Sequence, residues 1–248
     1  MIILSRFLAA ITVAIAVVAS GAAQAQSFTP QQRGEIEAII KEYFIKHPEM
    51  IEELQALAQT EKQKRIISEN KQALFESPRH VTLGNPKGDV TMVEFFDYNC
   101  GYCKRALDDM LVLIKDNPNL RVVLKEMPVL SQGSMDAAQV AVAVAMQDKG
   151  GKRYLDFHQK LLTGRGQVDK ARALAVAKEV GADMGKVEKD MNGPEVKAAL
   201  QESFALAEAL GFQGTPSYVI GNEAVVGAVG VKELQTKINS ARCGKATC

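Results

Sequence analysis

The sequence predicts an α/β domain with a large helical insertion, preceded by an all-helical arm, on three grounds. Val90-Thr91-Met92-Val93-Glu94-Phe95-Phe96 is rich in β-branched and aromatic residues and reads as a buried strand. Ala106, Leu107, Met110, Leu111 and Ile114 then recur at helical spacing, and Leu120–Glu126 is a second strand-like run. Strand, helix and strand so connected make a βαβ unit, with parallel pairing and a right-handed crossover. Finally, the stretch from Ser134 to Leu210 is helical and alanine-rich, too large for a simple crossover.

Residues 1–25 read as a cleaved signal peptide. Arg6 gives a basic start, Phe7 to Val18 an apolar core, and Ala23-Gln24-Ala25 a small-x-small cleavage site. The mature chain is then exported and soluble, and the alanine-rich signal points to a bacterial periplasm, where disulfides persist.

Residues 26–77 form the arm. Thr29-Pro30-Gln31-Gln32 is a helix start with a capping box. Ile36, Ile39, Ile40, Tyr43 and Phe44 mark one apolar face, His47-Pro48 interrupts it, and a second helix runs on to Phe75 before Ser77-Pro78. The arm cannot bury its apolar stripe against itself. Pairing with other copies of the chain is the favoured expectation, and packing back on the main domain is the alternative.

The domain over 78–248 starts with a short strand, Val81–Gly84, and the turn Asn85–Asp89, ahead of the βαβ unit. The insertion over about 134–210 breaks into helices punctuated by Gly181, Pro194 and Gly211. The sheet resumes at Pro216–Ile220, turns at Gly221-Asn222-Glu223 and returns over Ala224–Val229, and a helix from Val231 to about Ala241 ends the domain.

Chemistry concentrates at Cys100-Gly101-Tyr102-Cys103, where the first long strand gives way to a helix. The N–H groups and positive dipole end of a helix stabilise a thiolate, the reactive form of cysteine. Cys100, before the first turn, is therefore the exposed nucleophile, and Cys103, one turn in, is the more buried resolving thiol. Half a zinc site has the same spacing, but the strand–loop–helix context favours redox chemistry.

Bulk properties exclude other classes. A formal charge of +1 offers no basic footprint for nucleic acid, and the absence of tryptophan with 6% aromatics argues against stacking platforms. Ser-His-Asp and phosphate-loop arrangements are absent, and no cofactor motif appears. His47, His80 and His158 are scattered and read as ordinary. Cys243 and Cys248 follow the last helix. In an exported chain they read as a structural disulfide closing a small loop, with a second redox pair or a soft Cu(I) site as alternatives.

The Phe-Phe-Asp-Tyr-Asn-Cys-Gly-Tyr-Cys-Lys run, the helical block and Gly214-Thr215-Pro216 before a strand together resemble the thioredoxin fold, specifically its DsbA-like branch with a helical insertion. With its arm, the chain is most similar to periplasmic proteins of the suppressor of copper sensitivity C (ScsC) type. The resemblance implies that Thr215-Pro216 is the family's cis-proline loop facing the dithiol, an ordinary trans turn being the alternative. It places a buried acid at Glu94, six residues before Cys100, able to exchange a proton with Cys103; a solvent-facing Glu94 is the alternative. Lys125 on the next strand is either its partner or a surface charge.

The resemblance further implies oligomerisation through the arm, in some cases as a trimer, and thiol–disulfide exchange on disulfide-containing client proteins alongside a membrane redox partner. Gly101-Tyr102 between the cysteines is the pair seen in disulfide isomerases of the DsbC type. The function expected is therefore an oligomeric periplasmic disulfide isomerase or reductase. A monomeric dithiol oxidase and a Cu(I)-binding copper-tolerance protein are the alternatives.

Overall fold

The computed structural model describes residues 28–148 and 151–248. The signal peptide read at 1–25 lies outside the described residues. The chain forms two compact units that part between Ala56 and Leu57.

In the first unit, helix α1 (Pro30–Lys46) starts with the capping box: Gln32 N–H donates to Thr29 Oγ1 at 3.2 Å and Thr29 N–H to Gln32 Oε1 at 2.9 Å. No residue of α1 is buried. It stops at His47-Pro48, and helix α2 (Glu49–Glu69) runs across the boundary into the second unit. The sequence predicts one helix to Phe75, but the chain breaks at Asn70 and resumes as α3 (Lys71–Phe75). Asn70 Nδ2 donates to the Ile66 carbonyl at 2.8 Å, the same oxygen that accepts the Asn70 N–H. A side chain competing for a helix carbonyl in this way weakens the ladder beyond it.

The second unit is built on a five-stranded sheet in the order β1-β3-β2-β4-β5. The strands are β1 (Val81–Gly84), β2 (Val90–Phe96), β3 (Leu120–Glu126), β4 (Ser217–Ile220) and β5 (Glu223–Val226). β2 and β3 are parallel, joined by helix α4 (Gly101–Asp116), and every other pairing is antiparallel. β5 begins at Glu223, one residue inside the predicted turn, and Lys237 pairs with that carboxylate at 2.7 Å.

β2 is covered on both faces and reads as an almost continuous apolar run, whereas β3 carries Arg121, Lys125 and Glu126 among its apolar residues. Met92, Phe96, Val122 and Leu124 face α4, the last helix α10 (Val231–Cys243) and the insertion. Val93, Phe95, Val123 and Val219 face the other way, against Ile67, Leu74, Leu206, Leu210 and Phe212. Burial of each such side chain contributes about 1.5–3 kcal/mol.

The insertion comprises α5 (Gln132–Ala145), α6 (Lys152–Thr163), α7 (Lys170–Glu179), α8 (Met184–Asp190) and α9 (Pro194–Leu210). Its first helix starts two residues before the predicted Ser134, because Ser131 is the cap, accepting from Ser134 N–H at 3.1 Å. α9 touches both cores: Val196 and Leu200 lie in the first, Leu206 and Leu210 in the second. Gly211 at φ 73° ends it, a left-handed position that glycine adopts without strain.

Lys125 corrects both expectations made for it. It is buried, and it lies on the sheet face away from Glu94, because β2 and β3 align Phe95 with Lys125 and Glu94 with Leu124. Its Nζ donates to Glu202 at 2.5 Å and to the Ala73 carbonyl at 2.8 Å, tying α3 and α9 to the sheet. Breaking a buried pair strands the remaining charge. Lys125→Ala is accordingly expected to cost about 3 kcal/mol of unfolding free energy, read as a lower urea midpoint at unchanged slope, with Lys125→Met less damaging.

Candidate active site

The site is assembled where β2 ends. Asp97 organises the turn: its carboxylate accepts from Asn99 N–H at 2.8 Å and from Val129 and Leu130 N–H at 2.9 and 3.0 Å. Its carbonyl accepts from Cys100 N–H at 3.1 Å. Asn99 reaches into the insertion, donating to Ser134 Oγ (3.0 Å) and the Val168 carbonyl (2.9 Å) and accepting from Val168 N–H (2.8 Å). The two residues before Tyr98 and Cys100 thus clamp the turn from both sides.

Cys100 is the N-cap of α4, and its sulfur accepts from Cys103 N–H at 3.4 Å. Its thiol donates to the Thr215 carbonyl at 3.1 Å. Thr215-Pro216 is a cis peptide, and Thr215 Oγ1 is buried without a protein partner. Because this loop lies against the thiol, Cys100 is only 6% exposed rather than open to solvent as the sequence suggested. Tyr102, in contrast, is exposed and carries the Arg105 guanidinium over its ring.

Both cysteines are free thiols with opposite acidities. The Cys103 thiol first, and then the N–H groups of Cys103 and Tyr102, stabilise the Cys100 thiolate, bringing its pKa down to about 5 despite burial. Burial, and then the hydrogen bond that Cys103 makes to Cys100, push the Cys103 thiol far above the ordinary range. One sulfur is thereby poised to attack while the other keeps its proton.

Glu94 is buried beneath this pair, opposite Tyr218 in the β2–β4 register. Burial first, then the charges of Asp109 and Cys100, raise its pKa to about 8. The Tyr218 hydroxyl is likewise buried and has no protein partner. Cys100, Cys103, Thr215, Pro216 and Glu94 are therefore brought together around the first turn of α4.

Cys243 and Cys248 are not part of this cluster. Their disulfide joins the last residue of α10 to Cys248, and Arg242 of that helix pairs with Asp89 at 2.8 and 2.9 Å. Asp89 precedes β2, so they lie a strand's length, roughly 20 Å, from the dithiol. Among the described residues no group of three or more His, Cys, Asp or Glu side chains could hold a metal ion.

Several residues around the turn escaped sequence reasoning. His158, read there as ordinary, is buried among Phe96, Tyr98 and Tyr154. Glu126 and Tyr154 join it. The sequence signal was slight: Glu126 ends a strand that also carries Arg121 and Lys125, so its charge does not stand out.

A dithiol on a strand-to-helix turn, faced by a cis X–Pro peptide, defines a thioredoxin-fold thiol–disulfide oxidoreductase. Residues 91–239 match the model of the DSBA-like thioredoxin domain, and the chain belongs to that family. A thioredoxin-like oxidoreductase from Silicibacter pomeroyi is 43% identical, with a TM-score of 0.66 over 70% of this chain and 98% of that one. A linker-deletion variant of ScsC from Proteus mirabilis is 26% identical, with a TM-score of 0.71 over 88% of this chain and 98% of that one. DsbA of Bordetella pertussis is 26% identical over 147 residues, 57% of this chain and 68% of its own. The chain also matches Na(+)/H(+) antiporters from Salinispora arenicola and Herminiimonas arsenicoxydans, spanning 24% and 26% of their lengths.

The acidity difference is directly measurable. Alkylation of the reduced protein should label Cys100 alone, with a rate that rises with pH through about 5 and then levels. Cys103 should stay unlabelled until strongly alkaline pH. Equal labelling of both cysteines near neutrality would contradict the asymmetry.

Proposed function

We propose that this chain is a periplasmic thiol–disulfide oxidoreductase that isomerises or reduces disulfides in exported proteins and works as a homo-oligomer. The observation that carries the reading is the Cys100 sulfur, held as an acidic thiol on the N-cap of α4 against the Thr215 carbonyl, above a protonated Cys103.

In this mechanism the Cys100 thiolate attacks one sulfur of a client disulfide. The client S–S bond breaks, a mixed disulfide forms, and the other client sulfur leaves as a thiolate. A second client thiol can then displace Cys100 with native pairing, which is isomerisation. Alternatively Cys103 loses its proton and attacks the Cys100 sulfur. The client thiol is then released reduced, and a Cys100–Cys103 disulfide remains for a membrane dithiol partner to reduce. On this reading the client lies along the Thr215-Pro216 loop as an added strand.

Glu94 is the acid–base group of the second step. A carboxyl with a pKa of about 8 can both take and return a proton near neutrality. Glu94→Gln should leave formation of the mixed disulfide unchanged and slow its resolution by Cys103 about 10- to 100-fold, measured by rapid-quench gels. An unchanged resolution rate would remove Glu94 from the mechanism.

Oligomerisation is supported by the arm. Ile39, Ile40, Tyr43, Ile45, Ile51 and Leu54 are all exposed, more apolar surface than a solvated helix pair ordinarily carries. The likeness to ScsC also extends over more of the chain than residues 78–248 account for. The periplasmic assignment rests on the signal-like residues 1–25. The Cys243–Cys248 disulfide is a structural clip on this reading, since the C-terminal end of α10 disfavours a thiolate at Cys243.

The test combines light scattering with refolding of a scrambled multi-disulfide substrate. The mature chain should be oligomeric and restore native pairing. Ile39→Lys with Tyr43→Lys should give a monomer that still reduces insulin but no longer unscrambles. A monomeric wild-type chain that oxidises dithiols without unscrambling would make it an oxidase instead.

A further inference from the structure

Behind the active-site turn lies a buried polar cluster that the exchange mechanism does not use. Glu126, the last residue of β3, pairs with Phe96 at the end of β2. Tyr154 of α6 donates its hydroxyl to Glu126 Oε1 at 2.9 Å. The Tyr98 hydroxyl lies 3.2 Å from that of Tyr154 and 3.3 Å from His158 Nδ1. With Tyr154 donating to Glu126, a continuous chain has Tyr98 donating to Tyr154 and accepting from His158 Nδ1.

Glu126 ends the chain with capacity to spare. Its Oε2 is buried without a protein partner. The residue lines a cavity of about 20 Å³ together with Arg79, Lys125, Tyr154 and Ser203. That space and those polar groups suit one water. Burial first, and also the charge of Asp97, push the Glu126 carboxyl well above the carboxylate range, and burial brings His158 down to about 3. Arg79 and Lys125 across the cavity, and Glu94, whose charge reaches Tyr154, are the other charged groups around it.

The cluster meets the active site at Tyr98. Asp97 and Asn99 make the lateral contacts of the turn, and Tyr98 between them is the side chain that enters the core, 1% exposed, edge-on to Phe96. We propose that Glu126 is a positioning residue for the Cys100 turn: with a water satisfying its second oxygen, it anchors Tyr154 and through it Tyr98, which roots the turn in the core. Releasing that root lets the turn shift, and the Cys100 sulfur loses its alignment with the Cys103 N–H and the Thr215 loop. The proposal rests on Cys100 being the nucleophile, but titrating a thiol needs no client, so it remains testable if the isomerase reading fails.

The experiment compares Glu126→Gln, Glu126→Leu and Tyr154→Phe in the full mature chain. Two readouts serve: ultraviolet titration of the Cys100 thiolate, and the equilibrium of the Cys100–Cys103 disulfide with glutathione. Glu126→Gln keeps an acceptor for Tyr154 and donors for the cavity water, and should match the wild type. Glu126→Leu and Tyr154→Phe should each lower the thiolate fraction about tenfold at acidic pH and shift the glutathione equilibrium correspondingly. Wild-type titration and equilibrium in both, with cooperative unfolding intact, would overturn the proposal. So would a Glu126→Gln variant shifted as far as Glu126→Leu. If Glu126→Leu does not fold, Tyr154→Phe decides alone, because it removes one hydroxyl and leaves the ring in place.

Discussion

The contact between the Cys100 sulfur and the Thr215 carbonyl joins two residues 115 positions apart in the chain, and the architecture of the domain follows from keeping it. Cys100 is delivered by β2 and Thr215 by the approach to β4, so the antiparallel register of these strands fixes how closely they meet. That register needs β2 at the centre of the sheet, which the parallel β2–β3 pair and its α4 crossover provide. A one-residue slip would turn Glu94 and every core residue of β2 to the wrong face. Register, core and thiol geometry are one constraint seen at three scales.

Within that frame the helix end separates two chemically identical groups. Cys100 meets the Cys103 thiol and the N–H groups of Cys103 and Tyr102, whereas Cys103, one turn along the same helix, is buried in the same core as Leu107 and Tyr218. Desolvation opposes the thiolate at both positions, and only Cys100 has enough donors to overcome it. On the proposed mechanism, attack by one sulfur and resolution by the other then need no further device to set their order.

How much of this was legible depends on the range of the interaction. The βαβ unit, the capping box at Thr29, the break at His47-Pro48 and the placing of Cys100 on a helix N-cap all follow from residues within a few positions of one another. The partner of Lys125 did not, because Glu202 is 77 residues away and only the strand register shows which face Lys125 occupies. His158 reads as ordinary, since sequence cannot show that Tyr98 and Tyr154 stand ready to receive it. Asn70 carries a side chain able to break a helix, but the apolar spacing around it is continuous and masked the effect. Cysteines and cap residues announce themselves by type; buried polar networks do not.

Three carboxyls stand at the same end of the central strands, and their surroundings give them different work. Asp97 accepts three backbone N–H groups and is fully spent on holding the turn. Glu94 faces the thiols with its acidity lowered to a range where proton exchange is easy. Glu126 meets one tyrosine hydroxyl and a small cavity, with burial holding it as the neutral acid. Such groups cost several kcal/mol to bury unless donors or a proton compensate them. Asp97 is compensated by donors, Glu126 by a retained proton, and Glu94 by a proton it can still give up. Only the last arrangement leaves a group free to titrate as the thiols change state, and it is the one set directly beneath them.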